Sequence, residues 1–179
     1  MSRIVNRIFR AAKLDANLYE EVEADKSALS QAIVVVVLSS LAAGIGSISD
    51  AGLGGIALGS IAALIGWLIW AYLTYIIGTK LLPTPETKSD YGELLRTTGF
   101  SSAPGLIRIL AIIPGLAGIV FLVAGIWMLV AMIIAVRQAL DYKSTMRALG
   151  VCIIGWIIQA VVLGIFFAVF ASKDPGVAP

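Results

Sequence analysis

An all-α bundle of membrane-spanning helices is the fold this sequence predicts, on three observations. Of 179 residues, 59% are hydrophobic and only 13% charged, against roughly 45–50% apolar and about 25% charged in soluble domains. The mean hydropathy is +0.97, and the 13 basic and 11 acidic residues gather in a few short stretches that cannot clothe a water-facing surface. Between those stretches lie apolar runs long enough to cross roughly 30 Å of hydrocarbon. Histidine is absent and Cys152 is the sole cysteine, which removes histidine bases, histidine metal ligands, zinc clusters and intramolecular disulfides. No catalytic, metal or cofactor-binding residue is expected, and the chain is read as no enzyme: Ser101, Ser102 and Lys80 have no histidine to activate them.

Residues 1–27 form a cytoplasmic leader. Arg3, Arg7 and Arg10 recur at helical spacing beside Lys13, with Ile4, Val5, Ile8, Phe9 and Ala12 on the opposite side. This is a basic amphipathic helix, expected to lie on the inner leaflet with those four cations against anionic lipid, each worth about 1 kcal/mol. A simple topogenic anchor is the plainer reading of it. Asp15 then caps a short second helix with Leu18, Tyr19 and Val22 on one face and Glu20, Glu21 and Glu23 on the other. The acidic face is either solvated or a dock for a cytoplasmic partner. Because the leader carries five acidic residues, the first apolar run is expected to remain as a span rather than be cleaved as a signal peptide.

Four spans are plain, at about 28–48, 54–78, 116–136 and 149–171, followed by an external tail at 172–179. The stretch 91–113 holds Pro104 and Arg108, and its clearly apolar part is short. Two arguments make it a fifth span. Asp90 followed by Glu93 is a capping-box pattern, and a helix from 91 to 113 rises about 34 Å. The basic residues also fall into alternate segments: Arg3, Arg7, Arg10, Lys13 and Lys26; then Lys80, Lys88 and Arg96; then Arg137, Lys143 and Arg147. With five crossings all of these lie inside, Lys173 alone outside and Arg108 within a span, with the amino terminus cytoplasmic and the carboxyl terminus outside.

Within the membrane, Gly52, Gly55, Gly59 and Gly66, with Gly118 and Gly125 further on, fall at four- and seven-residue intervals that suit close helix packing within the chain or across a homodimer. Trp67, Trp70, Tyr72, Tyr75 and Tyr142 sit toward the inner side and read as an aromatic belt. Arg108 and Gln159 form the candidate intramembrane polar site: a charge at mid-bilayer costs about 2.5–3.5 kcal/mol on insertion scales unless it snorkels outward, and Gln159 needs a partner across a helix interface. Pro104 kinks its helix, and Thr97, Thr98, Ser101 or Ser102 can re-satisfy the freed backbone.

The stretch Gly99-Phe100-Ser101-Ser102-Ala103-Pro104 resembles the Gly-Tyr-Ser-x-x-Pro element at the third span of the Yip domain family, the Ypt/Rab-interacting membrane proteins. Further likeness to its bacterial branch lies in Leu14 to Val22, in Gln31-Ala32, in Gly92 to Arg96, in Ile113-Pro114-Gly115 and in Ala135 to Leu140. The resemblance implies a five-span protein with its amino terminus inside, placed in a bacterial cytoplasmic membrane. Eukaryotic members are tied to vesicle traffic and Rab GTPases through a longer leader with an Asp-Leu-Tyr-Gly-Pro-like element. Here Leu18-Tyr19 is followed by Glu20-Glu21, so Rab binding does not carry over, and Phe100 in place of tyrosine removes a hydroxyl. The expected role is a non-enzymatic membrane-organising or scaffold protein that binds membrane lipids and partner proteins. The alternatives are a small oligomeric transporter or channel, and an accessory subunit of a larger membrane complex. Nucleic acid has no footprint beyond the leader's arginines, which the membrane accounts for.

Overall fold

Asp15 divides the leader into two helices. The computed structural model describes residues 2–171, apart from the side chains at 49–51, 163 and 166–171; the 172–179 tail with Lys173, and the Asp50 side chain, lie outside the described residues. Helix α1 (Arg3–Ala12) ends with Leu14 in the left-handed region at φ 61. Asp15 then accepts from the Asn17 N–H and opens α2 (Ala16–Ala24), the cap expected from the sequence. Next come α3 (Ala28–Gly46) and α4 (Ile48–Ile76), the latter interrupted at Gly52, whose φ of 63 only glycine adopts freely. A π-helical turn (Ile77–Leu81) loosens the end of α4. Helices α6 (Ala117–Ala139) and α7 (Thr145–Ala171) complete the chain after a tight turn in which the Leu116 N–H returns to the Ile113 carbonyl and Gly115 takes φ 84. Four helices are long and apolar enough to cross a membrane: Ala28–Gly46, Gly52–Leu81, Ala117–Ala139 and Thr145–Val162.

The stretch from 91 to 113 is not the one kinked helix expected. The capping box forms as expected, with Glu93 N–H on Asp90 Oδ1 at 2.8 Å and Asp90 N–H on Glu93 Oε2 at 2.9 Å, and it starts α5 (Tyr91–Phe100). Beyond Phe100 the chain tightens into a 3-10 helix (Ala103–Ile112). Pro104 has no N–H to return to the Phe100 carbonyl, so the α-helical ladder breaks there. Around the junction Ser101 Oγ donates to the Thr98 carbonyl at 2.7 Å and Thr97 Oγ1 to the Glu93 carbonyl at 2.9 Å, so these hydroxyls bond the turns before the break and not the Phe100 carbonyl that Pro104 frees. Since a 3-10 helix rises about 2.0 Å per residue, the two pieces together still span about 35 Å.

That broken element is the centre of the bundle. It runs alongside α3 in the same direction, with Gly99 against Ala32, Gly105 against Ser39, and Arg108 and Ala111 against Gly46. α6 returns past it, bringing Met132 to Ser101 and Met128 to Gly105. At one end of the bundle the three basic segments meet. Arg96 donates to the Val22 and Glu23 carbonyls, Gln138 to Glu20, Lys143 pairs with Glu86, and Tyr142 OH reaches the Leu82 carbonyl at 2.7 Å. Trp127 Nε1 donates to the Ala12 carbonyl at 2.8 Å, fastening the end of α1 to α6.

The aromatic belt is corrected in part. Trp67 and Trp70 are buried, Trp67 Nε1 donating to Thr98 Oγ1 at 3.2 Å and the Trp70 ring lying 6.2 Å from that of Trp156. Tyr142 is buried too, because the widened π-helical turn offers its hydroxyl the Gly78 and Leu82 carbonyls. Tyr72 alone of the five keeps an exposed ring.

Candidate functional site

The site grows from the spacing of the 3-10 helix. Three residues per turn set Gly105, Arg108 and Ala111 in one row, and that row faces α3. Arg108 folds back along it: Nε donates to the Gly105 carbonyl at 3.0 Å, while Nη2 donates to the Ser39 carbonyl at 3.1 Å and to Ser39 Oγ at 2.8 Å. The outward snorkelling considered for Arg108 is thus replaced by solvation from protein carbonyls inside the bundle, the usual resort of a charge within a membrane.

Two glycines make that approach feasible. A β-carbon on Gly105 would lie 2.3 Å from Ser39 Oγ and 2.6 Å from Arg108 Nη2; one on Gly46 would lie 2.3 Å from the Arg108 carbonyl. A cavity of about 500 Å³ opens beside the guanidinium between α3, α4, the 3-10 helix and α6, with Ser40, Ser47, Ser102 and Trp67 in its walls. Gln159 lines a second cavity of about 340 Å³, with Trp67, Trp70, Trp156, Thr98 and Ser101. The two cavities share Trp67, Ser102 and Met128 in their walls, with Arg108 lining one and Gln159 the other. Among the described residues no hydrogen-bond partner meets the Gln159 side chain.

The expectation that the regularly spaced glycines pack helices within the chain does not hold. A β-carbon on Gly52, Gly59, Gly66, Gly118 or Gly125 would meet nothing within 4 Å, so these positions do not clamp helices together within this chain. Gly55 and Gly59 instead leave room for the larger cavity, and Gly66 and Gly125 for the smaller. Close contact between helices belongs to Gly44, Gly46, Gly78, Gly99, Gly105 and Gly155. Gly99 opens the family-like motif: its Cα lies where a side chain would strike Ala32 and Trp67, while Phe100 is fully buried, Ser101 1% exposed and Pro104 buried beside them.

The leader is corrected as well. Arg7 cannot reach lipid: at 1% exposure it donates to Glu21, Asp25 and Gln31. Arg10 pairs with Asp15 and Glu21, and Arg3 with Asp25 at 3.1 Å. Arg10 holds the Asp15 and Glu21 carboxyls below their usual range, and Ser27 and Arg7 do the same for Asp25. The basic and acidic helices neutralise one another, leaving Lys13, with Arg3 beside its ion pair, exposed. Glu23 alone shifts the other way, to about 8, because it is desolvated and faces Glu93, Asp141 and Glu20, which Arg96 only partly offsets.

The model of the Yip1 domain matches residues 16–167 of the chain, most of its length. The chain belongs to the Yip1 domain family. It is a multi-pass, helical membrane protein of that family. The match contains Ser39, Gly99, Pro104, Gly105, Arg108 and Gln159, and begins after α1. No curated protein and no solved structure is significantly similar to it.

Proposed function

We propose that this Yip1 family member is a non-enzymatic protein of a bacterial cytoplasmic membrane that organises the bilayer around it and holds partner proteins against a fixed cytoplasmic cap. The observation that carries this is how firmly α1 and α2 are joined to the bundle. Arg96 is 6% exposed and grips two α2 carbonyls, Arg7 ties both leader helices to Gln31 of α3, and Trp127 holds the end of α1. A surface fixed in this way loses little entropy when a partner docks. Five crossings, with the amino terminus inside, are supported by the reach of α5 plus the 3-10 helix along α3 and by three basic segments meeting at one end.

The test is to isolate the protein with its surrounding lipid in polymer nanodiscs and identify what accompanies it by mass spectrometry. Specific proteins in fixed ratio, lost on Arg96→Ala, are the expected result; lipid alone with the wild type would refute the scaffold. The two cavities favour a second reading, an oligomeric transporter, which predicts solute flux in proteoliposomes that Arg108→Ala abolishes.

A further inference from the structure

The Arg108 cavity has a feature that neither packing nor the cap explains: a guanidinium placed inside the bundle with no carboxylate among the described residues of the lining. Its Nε and Nη2 are bound to uncharged acceptors, Gly105 O, Ser39 O and Ser39 Oγ. Among the described residues Arg108 forms no ion pair. A guanidinium has five N–H donors; three serve these acceptors, and the two of Nη1 are left to meet an oxyanion. Ser39 Oγ accepts from Arg108 and keeps its own proton to donate, and Ser102 brings a further hydroxyl to the cavity wall. Apolar Val36, Ile56 and Phe121 line the rest. At about 500 Å³ the space falls within the roughly 300–1,000 Å³ of small-molecule sites and is far larger than a halide requires.

We propose that this cavity is a binding site for one phosphate-type oxyanion, with Arg108 Nη1 and the Ser39 hydroxyl on its oxygens and the apolar wall against what it is attached to. Two sources share that chemistry: the phosphodiester of a phospholipid headgroup, and free phosphate. A partly buried charge held away from bulk water is stabilised by a counter-charge, so occupancy favours an arginine that has no ion pair among the described residues. This inference rests on the cavity alone and stands apart from the scaffold reading of the cap.

The experiment is a titration of the full-length protein in neutral detergent, read by native mass spectrometry. The probes are dioleoylphosphatidylglycerol, dioleoylglycerol (the same chains without phosphate) and inorganic phosphate. The wild type is expected to retain one phosphatidylglycerol and no dioleoylglycerol. Arg108→Gln is expected to weaken retention by about tenfold or more, the scale of a lost charge-assisted contact, and Ser39→Ala by less. Displacement of the lipid by phosphate identifies a site for the free anion; persistence of the lipid against it identifies the headgroup. Equal retention of dioleoylglycerol by the wild type would overturn the proposal, as would undiminished phospholipid binding by a folded Arg108→Gln protein. Should that variant not fold, the wild-type comparison of the two lipids decides alone.

Discussion

Gly105 is tightly confined, since its missing side chain is where Ser39 Oγ and Arg108 Nη2 meet. Gly105→Ala places a methyl where Met128 Sδ, at 2.8 Å, closes the third side, so Ser39, Arg108 and Met128 must shift together. Overpacking of this kind costs about 1–3 kcal/mol, and a lowered thermal midpoint in detergent is the expected reading; Gly118→Ala, facing open space, should leave the midpoint nearly unchanged. Arg108 and Gln159 stand out in the sequence because polar groups are rare in such surroundings. Ser39 and Gly46 do not, because serine and glycine are ordinary in membrane helices and only contact with the 3-10 helix singles them out. Gly105 had one faint signal, its spacing of three before Arg108 just after a proline, the period of a 3-10 turn.

At the scale of elements, the cap is set by α2 more than by α1. Removing the Arg96 guanidinium leaves the Val22 and Glu23 carbonyls buried without their donor, so Arg96→Ala should cost about 1–3 kcal/mol of local stability, seen as faster hydrogen exchange of the α2 amides. Glu23 makes that docking sensitive to pH. Its folded value of about 8 stands above the ordinary 4.5, so the docked cap holds the proton more tightly than the undocked one. Its contribution is complete below about 4.5 and declines as pH rises toward 8. Protection of α2 should therefore fall from pH 6 to pH 9 and lose most of that slope in Glu23→Gln. Asp15, Glu21 and Asp25, all lowered, contribute in the opposite sense: their share is present above the ordinary carboxylate range and fails only as acid protonates them. The leader's two helices and their cap were legible in the sequence. Their partnership was not, since charges spaced along a helix look alike whether they meet lipid or one another.

For the whole molecule, the decisive quantity is whether the broken element crosses. Cys152 is fully buried, so single cysteines introduced elsewhere report with little background. With five crossings, a membrane-impermeant thiol reagent should label Lys88→Cys only from the cytoplasmic side and Leu116→Cys only from the outside; labelling of both from one side would return the chain to four crossings. The sequence by itself determined the solvent, the helical class, the apolar spans and the alternation of basic segments. Hydropathy, charge and cap chemistry act between near neighbours along the chain, and the translocated loops are sorted by composition. Tertiary structure alone decided that the arginines of α1 turn to α2, that the α4 glycines border cavities, and that Arg108 faces Ser39. Each of these depends on which residues of distant helices share a level, and that register is set only when the bundle closes around the 3-10 helix at the Pro104 break.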